Sequence, residues 1–268
     1  MTPHALDILK DRFNAYADGF RGPDRVLPFA LQLKLDHSHR VADDAAAIAT
    51  QLGWSDHLVG TGRAASLLHD IGRFTQYARF KTFADANSLN HGEQGYAVLL
   101  EQTLLDGCDP SESLTILAAV RHHNCRQVPD DIPPAALPVV RLVRDADKLD
   151  ILHVINDFVR SKRFDDYPEI LLHTDINGPV TPALIRELRE KKTGSYRNVH
   201  SLADINLMRA TWVYNVNYLP TLRLMEQRRL YDDLQAAMPA DPAAHAVIDE
   251  ARAFMAARLR EGRPALHS

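Results

Sequence analysis

Apolar residues recur at three- and four-residue intervals along most of the chain, which predicts helices. From Asp36 to Leu52, the residues Val41, Ala45, Ile48 and Leu52 share one helical face, and Gly53 supplies a stop. His37 lies one turn before Val41 and therefore falls on the inward side. Ser55 is placed to cap a second helix through Ala64, Ala65, Leu67 and Leu68, which delivers His69 and Asp70 just ahead of Gly72. The polar, aromatic stretch from Thr75 to Asn90 predicts an ordered lid or binding loop, and another helix begins near His91. Asp109, Pro110 and Glu112 combine a cap, a first-turn proline and an acid three residues after the cap, opening a helix that runs to His123. There the row Leu114, Ala118, His122 predicts an inward face ending in His122, with His123 turned elsewhere. After a proline-rich turn from Pro129 to Pro138, Val140, Val143, Asp147, Ile151 and Val154 form one stripe of a long helix, interrupted by a carboxylate.

Further on, Thr181-Pro182 opens a helix with Leu184, Ile185 and Leu188. Ser201 opens a longer one that Pro220 should kink, and Asp241-Pro242 opens the last. No internal repeat, low-complexity linker or long alternating pattern interrupts this series. The expected architecture is one all-α domain over residues 1–268, with a motif core at 37–150 and a helical extension at 151–268.

Composition narrows the function classes. With 268 residues, 46% of them hydrophobic and 25% charged, the chain is long enough to bury a core without disulfides. Neither a P-loop nor a dinucleotide-binding glycine fingerprint occurs. Thirty-one basic against 35 acidic side chains give a formal charge of −4, so no stable nucleic-acid complex is expected. No apolar run approaches membrane-spanning length. Asp7, Lys10, Asp11 and Arg12 break up the first residues, so a cytoplasmic protein is the expectation. Cys108 and Cys125 stand apart from any C-x-x-C pair and read as reduced thiols.

Histidine is the unusual residue, with 13 copies. His37, His69, Asp70, His91, His122, His123 and Asp147 each sit near a helix end or on an otherwise apolar helix face. A lone histidine on such a face is usually a core side chain bonded to a carbonyl. Burying Asp70 or Asp147 among aliphatic neighbours, however, calls for a counter-charge, and imidazole with carboxylate suits divalent metals. His4, His57, His153, His173, His200, His245 and His267 read as surface or packing residues. Arg40 is expected to pair with Asp43 or Asp44. Phe74, Tyr77, Phe80 and Phe83 read as packing residues rather than as a stack for a nucleobase.

His37-x-x-Arg40-Val41, His69-Asp70-Ile71-Gly72 and Asp147-Lys148-Leu149-Asp150 together resemble the HD-domain superfamily of metal-dependent phosphohydrolases. The segment from His69 to Phe74, with Thr82 to Asp85 and Asn90-His91, is similar to a bacterial branch of that superfamily. The resemblance spans His37 to Asp150 and implies an all-helical bundle. It implies that His37, His69, Asp70 and Asp147 hold one ion, that His91 and His122 hold a second, and that Asp70 bridges the pair. The ions would be Mn, Fe, Mg, Co, Ni or Zn. By the same resemblance Lys148 and Arg73 contact substrate phosphate, with His123 as a further substrate contact. The implied activity is hydrolysis of a nucleotide or another small phosphorylated metabolite by metal-activated water, with Asp70 central to it. Two alternatives accompany it: a dinuclear-iron oxygenase on the same scaffold, and a nucleotide-binding module without turnover.

Overall fold

A computed structural model describes residues 1–161 and 174–262, which are helical throughout apart from turns and one isolated bridge between Asp175 and Ser201. The chain divides into two compact units, Met1–Asp150 and Ile151–Ser268. Among the described residues, no helix is long and apolar enough to cross a membrane.

The first unit contains α1 (Pro3–Asp18), α2 (Phe29–Gln51), α3 (Asp56–Leu68), α4 (Gly72–Phe80), α5 (His91–Glu101), α6 (Pro110–His122) and the start of α7 (Leu137–Ser161). Local signals set several of these starts. Ser55 accepts from the Leu58 amide at 3.3 Å, Asn90 from Gly92 and Glu93, and Asp109 from Ser111 and Glu112 ahead of Pro110. α2 begins well before Asp36, because Phe29, Ala30 and Leu31 extend its apolar face into the core. Leu9, Phe13, Leu31, Leu68, Ile71, Leu99 and Ile116 are fully buried together.

Where a loop is expected from Thr75, the chain instead continues as α4. Phe74 is the reason. Its ring is wholly buried and meets Phe13, Tyr16 and Phe20 at centroid separations of 5.9, 6.0 and 5.6 Å, so long-range packing holds a short helix that its polar sequence does not announce. Lys81 then closes the helix with a φ of 54°. The turn that follows, including a 3₁₀ segment at Asp85–Asn87, is drawn onto α4 by Gln76, whose Nε2 donates to Asp85, Ser88 and the Leu89 carbonyl. Gly72 permits α4 to start directly against α5: a Cβ there would collide with the His91 carbonyl oxygen and lie 2.6 Å from the Gly95 nitrogen.

The second unit holds the rest of α7 and α8 (Pro182–Lys191), α9 (Leu202–Ala210), α10 (Leu219–Gln227), α11 (Leu230–Ala236) and α12 (Pro242–Glu261). Ser201 and Asp204 form a reciprocal capping box, and Asp241 caps α12. Pro220 does not kink a long helix. α9 ends at Ala210, a 3₁₀ turn covers Thr211–Asn215, and Pro220 sits in the first turn of the separate α10, where its missing N–H costs nothing.

Candidate metal centre

Five of the seven helices of the first unit aim polar side chains at one place. Mid-α2 supplies His37, and Lys34 stands one turn earlier. His69 and Asp70 follow the last residue of α3, in the tight connection to α4. His91 is the first residue of α5, His123 directly follows α6, and Asp147 lies in α7 with Asp150 one turn on.

The inward histidine of the tandem pair is His123, which corrects the expectation for His122. Along α6 the buried positions are Glu112, Ile116, Ala119 and Val120, and the same spacing leads to His123, 4% exposed. Leu114, taken as the start of an inward row, is 66% exposed, so its face points outward. His122 is half-buried and has Cys125 Sγ 3.9 Å from its Nδ1.

Asp70 lies at the centre, 2% exposed, and its two oxygens look in different directions. Oδ2 is 3.6 Å from His69 Nε2, 3.7 Å from His37 Nε2 and 2.7 Å from Lys34 Nζ. Oδ1 is 3.5 Å from His91 Nε2, 3.6 Å from His123 Nε2 and 3.4 Å from Arg73 Nε. Asp147 Oδ1 completes the first side, 3.1 Å from His37 Nε2 and 3.5 Å from His69 Nε2.

The outer nitrogens of all four imidazoles are fixed by acceptors. Nδ1 of His37 donates to Asp150 Oδ2 at 2.6 Å, His69 to the Ser66 carbonyl at 2.6 Å, His91 to Asp85 Oδ2 at 2.7 Å, and His123 to the Val120 carbonyl at 2.8 Å. Each acceptor assigns the Nδ1–H tautomer and leaves an Nε2 lone pair facing inward. His69 Nε2 is buried without a hydrogen-bond partner, beside two carboxylate oxygens. His91 and His123 bring their Nε2 atoms to 3.0 Å of each other. Lone pairs so close to one another and to carboxylates repel unless a cation lies among them, and buried ligand imidazoles characteristically donate their other nitrogen to carboxylate or carbonyl.

The protonation tendencies follow from the same crowding. Burial and the Arg73 guanidinium push His91 down to about 3, and burial lowers His123 as well. For His69 burial works against charge, but Asp70 and Asp147 prevail and raise it. Asp70 and Asp147 stay well below the ordinary carboxylate range: burial opposes their charge, but Lys34 and His69 outweigh it at Asp70, and His37 and His69 at Asp147.

The donor set fits a divalent metal. Three overlapping groups, His37 with His69 and Asp70, His69 with His123 and Asp147, and Asp70 with His91 and His123, each bring one ligand atom per residue within 4.8 Å of the others. Of the remaining predicted residues, Arg73 borders Asp70 but donates its Nη1 to Gln76, the Phe83 carbonyl and Asp85. Lys148 Nζ donates to the Arg144 carbonyl oxygen in its own helix, and burial with neighbouring Arg144 brings it down to about 8. His57, His153 and His200 are exposed, and His4 and His245 stay outside the cluster; His173 and His267 lie outside the described residues.

Three side chains went unassigned in the sequence. Lys34 is signalled only by standing one turn before His37. Asp85 is the acid of the Thr82-to-Asp85 segment, and Asp150 ends the Asp147-Lys148-Leu149-Asp150 run. Arg40 pairs with Asp150, at 2.7 and 3.0 Å, rather than with Asp43 or Asp44; Asp43 takes Arg63 instead. Asp150 thus couples α2 to α7 and sets the His37 ring at once. Asp150→Ala should lower the stability of the metal-free protein by about 2 kcal/mol, since charge-assisted bonds are lost. It should also weaken metal binding on the His37 side by roughly 10- to 100-fold. Chemical denaturation and metal titration measure the two effects, and wild-type values in both would refute the coupling.

No match was found among curated proteins or solved structures. The family model for the HD domain matches residues 35–152, a stretch that contains every residue of the cluster except Lys34, one position before it. HD domains are commonly metal-dependent hydrolases. Residues 35–152 of this chain are an HD domain.

Proposed function

We propose that this protein is a metal-dependent phosphohydrolase or phosphodiesterase acting on a nucleotide or another small phosphorylated metabolite. The observation that carries the reading is the division of Asp70, with Oδ2 turned to His37 and His69 and Oδ1 turned to His91 and His123. That geometry supports two ion positions sharing one carboxylate: His37, His69, Asp70 and Asp147 around the first, and Asp70, His91 and His123 around the second. Divalent ions held there supply Lewis acidity, acidifying water and drawing charge from phosphoryl oxygens. The protein's own part is to fix the imidazoles in one tautomer and to keep both carboxylates ionised. No side-chain nucleophile is required of it.

A metal-analysis and substrate experiment tests this directly. Protein reconstituted with manganese without oxygen should bind two ions per chain and release phosphate from members of a phosphomonoester and phosphodiester panel. Substrate loss that occurs only with iron and oxygen would replace the hydrolase with an oxygenase. Tight nucleotide binding without turnover would make the protein a sensor.

A further inference from the structure

Buried polar side chains of the second unit mostly hold partners. Asn156 Nδ2 donates to the Leu230 carbonyl at 2.9 Å, and Thr211 Oγ1 to the Met208 carbonyl at 2.8 Å. Asp204 accepts from the Thr181 hydroxyl and from the amides of Thr181, His200 and Ser201. Arg258 Nη1 donates to the Val216 carbonyl at 3.3 Å. Two residues of α9 depart from this pattern. Asn206 is 0% exposed, and neither its amide nitrogen nor its oxygen has a hydrogen-bond partner; Arg209, 8% exposed, has an Nη1 without one. Positions three apart share a helix face, so both groups project from the same side of α9. Arg209 is also a cation without a counter-ion. The one ionisable group that bears on it is the Tyr196 phenol, and among the described residues no carboxylate pairs with it, so burial brings the guanidinium down to about 10. Tyr196 is itself 65% exposed, so Arg209 lies close to the surface of the unit despite its burial.

An uncompensated buried charge is among the most costly groups a protein interior can hold, and a buried carboxamide that meets neither a donor nor an acceptor adds to the cost. The unmet groups together describe what would relieve it. A guanidinium fork and an amide N–H call for an oxyanion, while Asn206 Oδ1 calls for a donor on the same ligand. Ionised carboxylate and sulfate only accept. Hydrogen phosphate offers acceptor oxygens and keeps one P–OH at neutral pH. We propose that Arg209 and Asn206 form a hydrogen phosphate site within the second unit, the guanidinium and Asn206 Nδ2 donating to phosphate oxygens and Asn206 Oδ1 accepting from the P–OH. The site does not depend on the phosphohydrolase reading of the metal centre.

Inorganic phosphate and sulfate serve as the probes, titrated calorimetrically into the full chain with and without Asp70→Ala, so that phosphate held by the metal centre is told apart. A phosphate site should persist in Asp70→Ala, and both Arg209→Met and Asn206→Leu should weaken it at least ~tenfold, since each removes direct contacts, charge-assisted in the case of Arg209. Sulfate should bind there at least ~tenfold more weakly than phosphate, because its extra acceptor faces Asn206 Oδ1. Thermal denaturation separates binding from a structural role. Phosphate should raise the melting temperature of Asp70→Ala and leave that of Asp70→Ala with Arg209→Met unmoved. Without phosphate, Arg209→Met should melt no lower than the wild type, since an apolar chain replaces an unpaired buried charge. No phosphate binding in Asp70→Ala, equal phosphate affinity with and without Arg209→Met, or an Arg209→Met chain that fails to fold would overturn the site. Sulfate bound as tightly as phosphate would overturn the hydrogen phosphate assignment.

Discussion

Replacing Asp70 with alanine should abolish hydrolysis and strip the centre of metal while leaving the helical spectrum intact. Both carboxylate oxygens are within 3.7 Å of imidazole nitrogens from two different sides of the cluster, so one substitution removes a ligand from each side. Losing a group that only orients a ligand typically costs 10- to 100-fold; losing a ligand common to both positions should lower kcat/KM by at least ~10³-fold. Folding should survive. Asp70 sits in a connection between helices, and the cations it leaves behind, Lys34 and Arg73, retain 16% and 14% exposure through which to reach water. Elemental analysis with far-UV circular dichroism reads both halves of the expectation. A folded variant with full metal content would remove Asp70 from the centre.

His123→Ala and His122→Ala should behave as opposites, although the residues are neighbours. His123 is buried, fixed through Nδ1 to the Val120 carbonyl, and 3.0 Å from His91 Nε2. Its loss should halve the metal content and lower kcat/KM at least ~100-fold, because the Oδ1 side of Asp70 keeps only His91. His122 has no contact with the cluster, and its loss should change activity less than about twofold, as for other substitutions away from a site. Steady-state kinetics and metal analysis on the pair are enough. Equal effects, or a larger effect at His122, would mean that the end of α6 turns differently in the metal-loaded protein.

The contrast between these neighbours also shows where sequence reading succeeds and where it stops. The starts of the helices that deliver His69 and His91 and the end of the helix carrying His37 are legible, because they depend on caps, glycines and spacing within a few residues; the start of that last helix at Phe29 is not, because Pro28 gives it no side-chain cap. That His69-Asp70 and Asp147 belong with distant histidines is legible through the residue types and the cost of burying carboxylates. The α6 register is not: Leu114 is an exposed leucine, and periodicity alone cannot separate an outward apolar row from the inward one through Ile116 and Ala119. Arg40 has acids three and four residues away, but it reaches Asp150 across two helices, a choice made by tertiary packing. α4 likewise depends on rings contributed by α1. Two of the four acceptors that set the imidazoles are main-chain carbonyls, of Ser66 and Val120, which leave no signature in side-chain identity.

Those two carbonyls, with Asp85 and Asp150, carry a kinetic implication. The imidazoles are already oriented once the helices have packed, so an arriving cation need not wait for rings to turn. Uptake should then be governed by dehydration of the incoming ion. Discrimination among metals would depend on how readily each sheds water into a rigid cage, with little room for the cage to adapt to ionic radius.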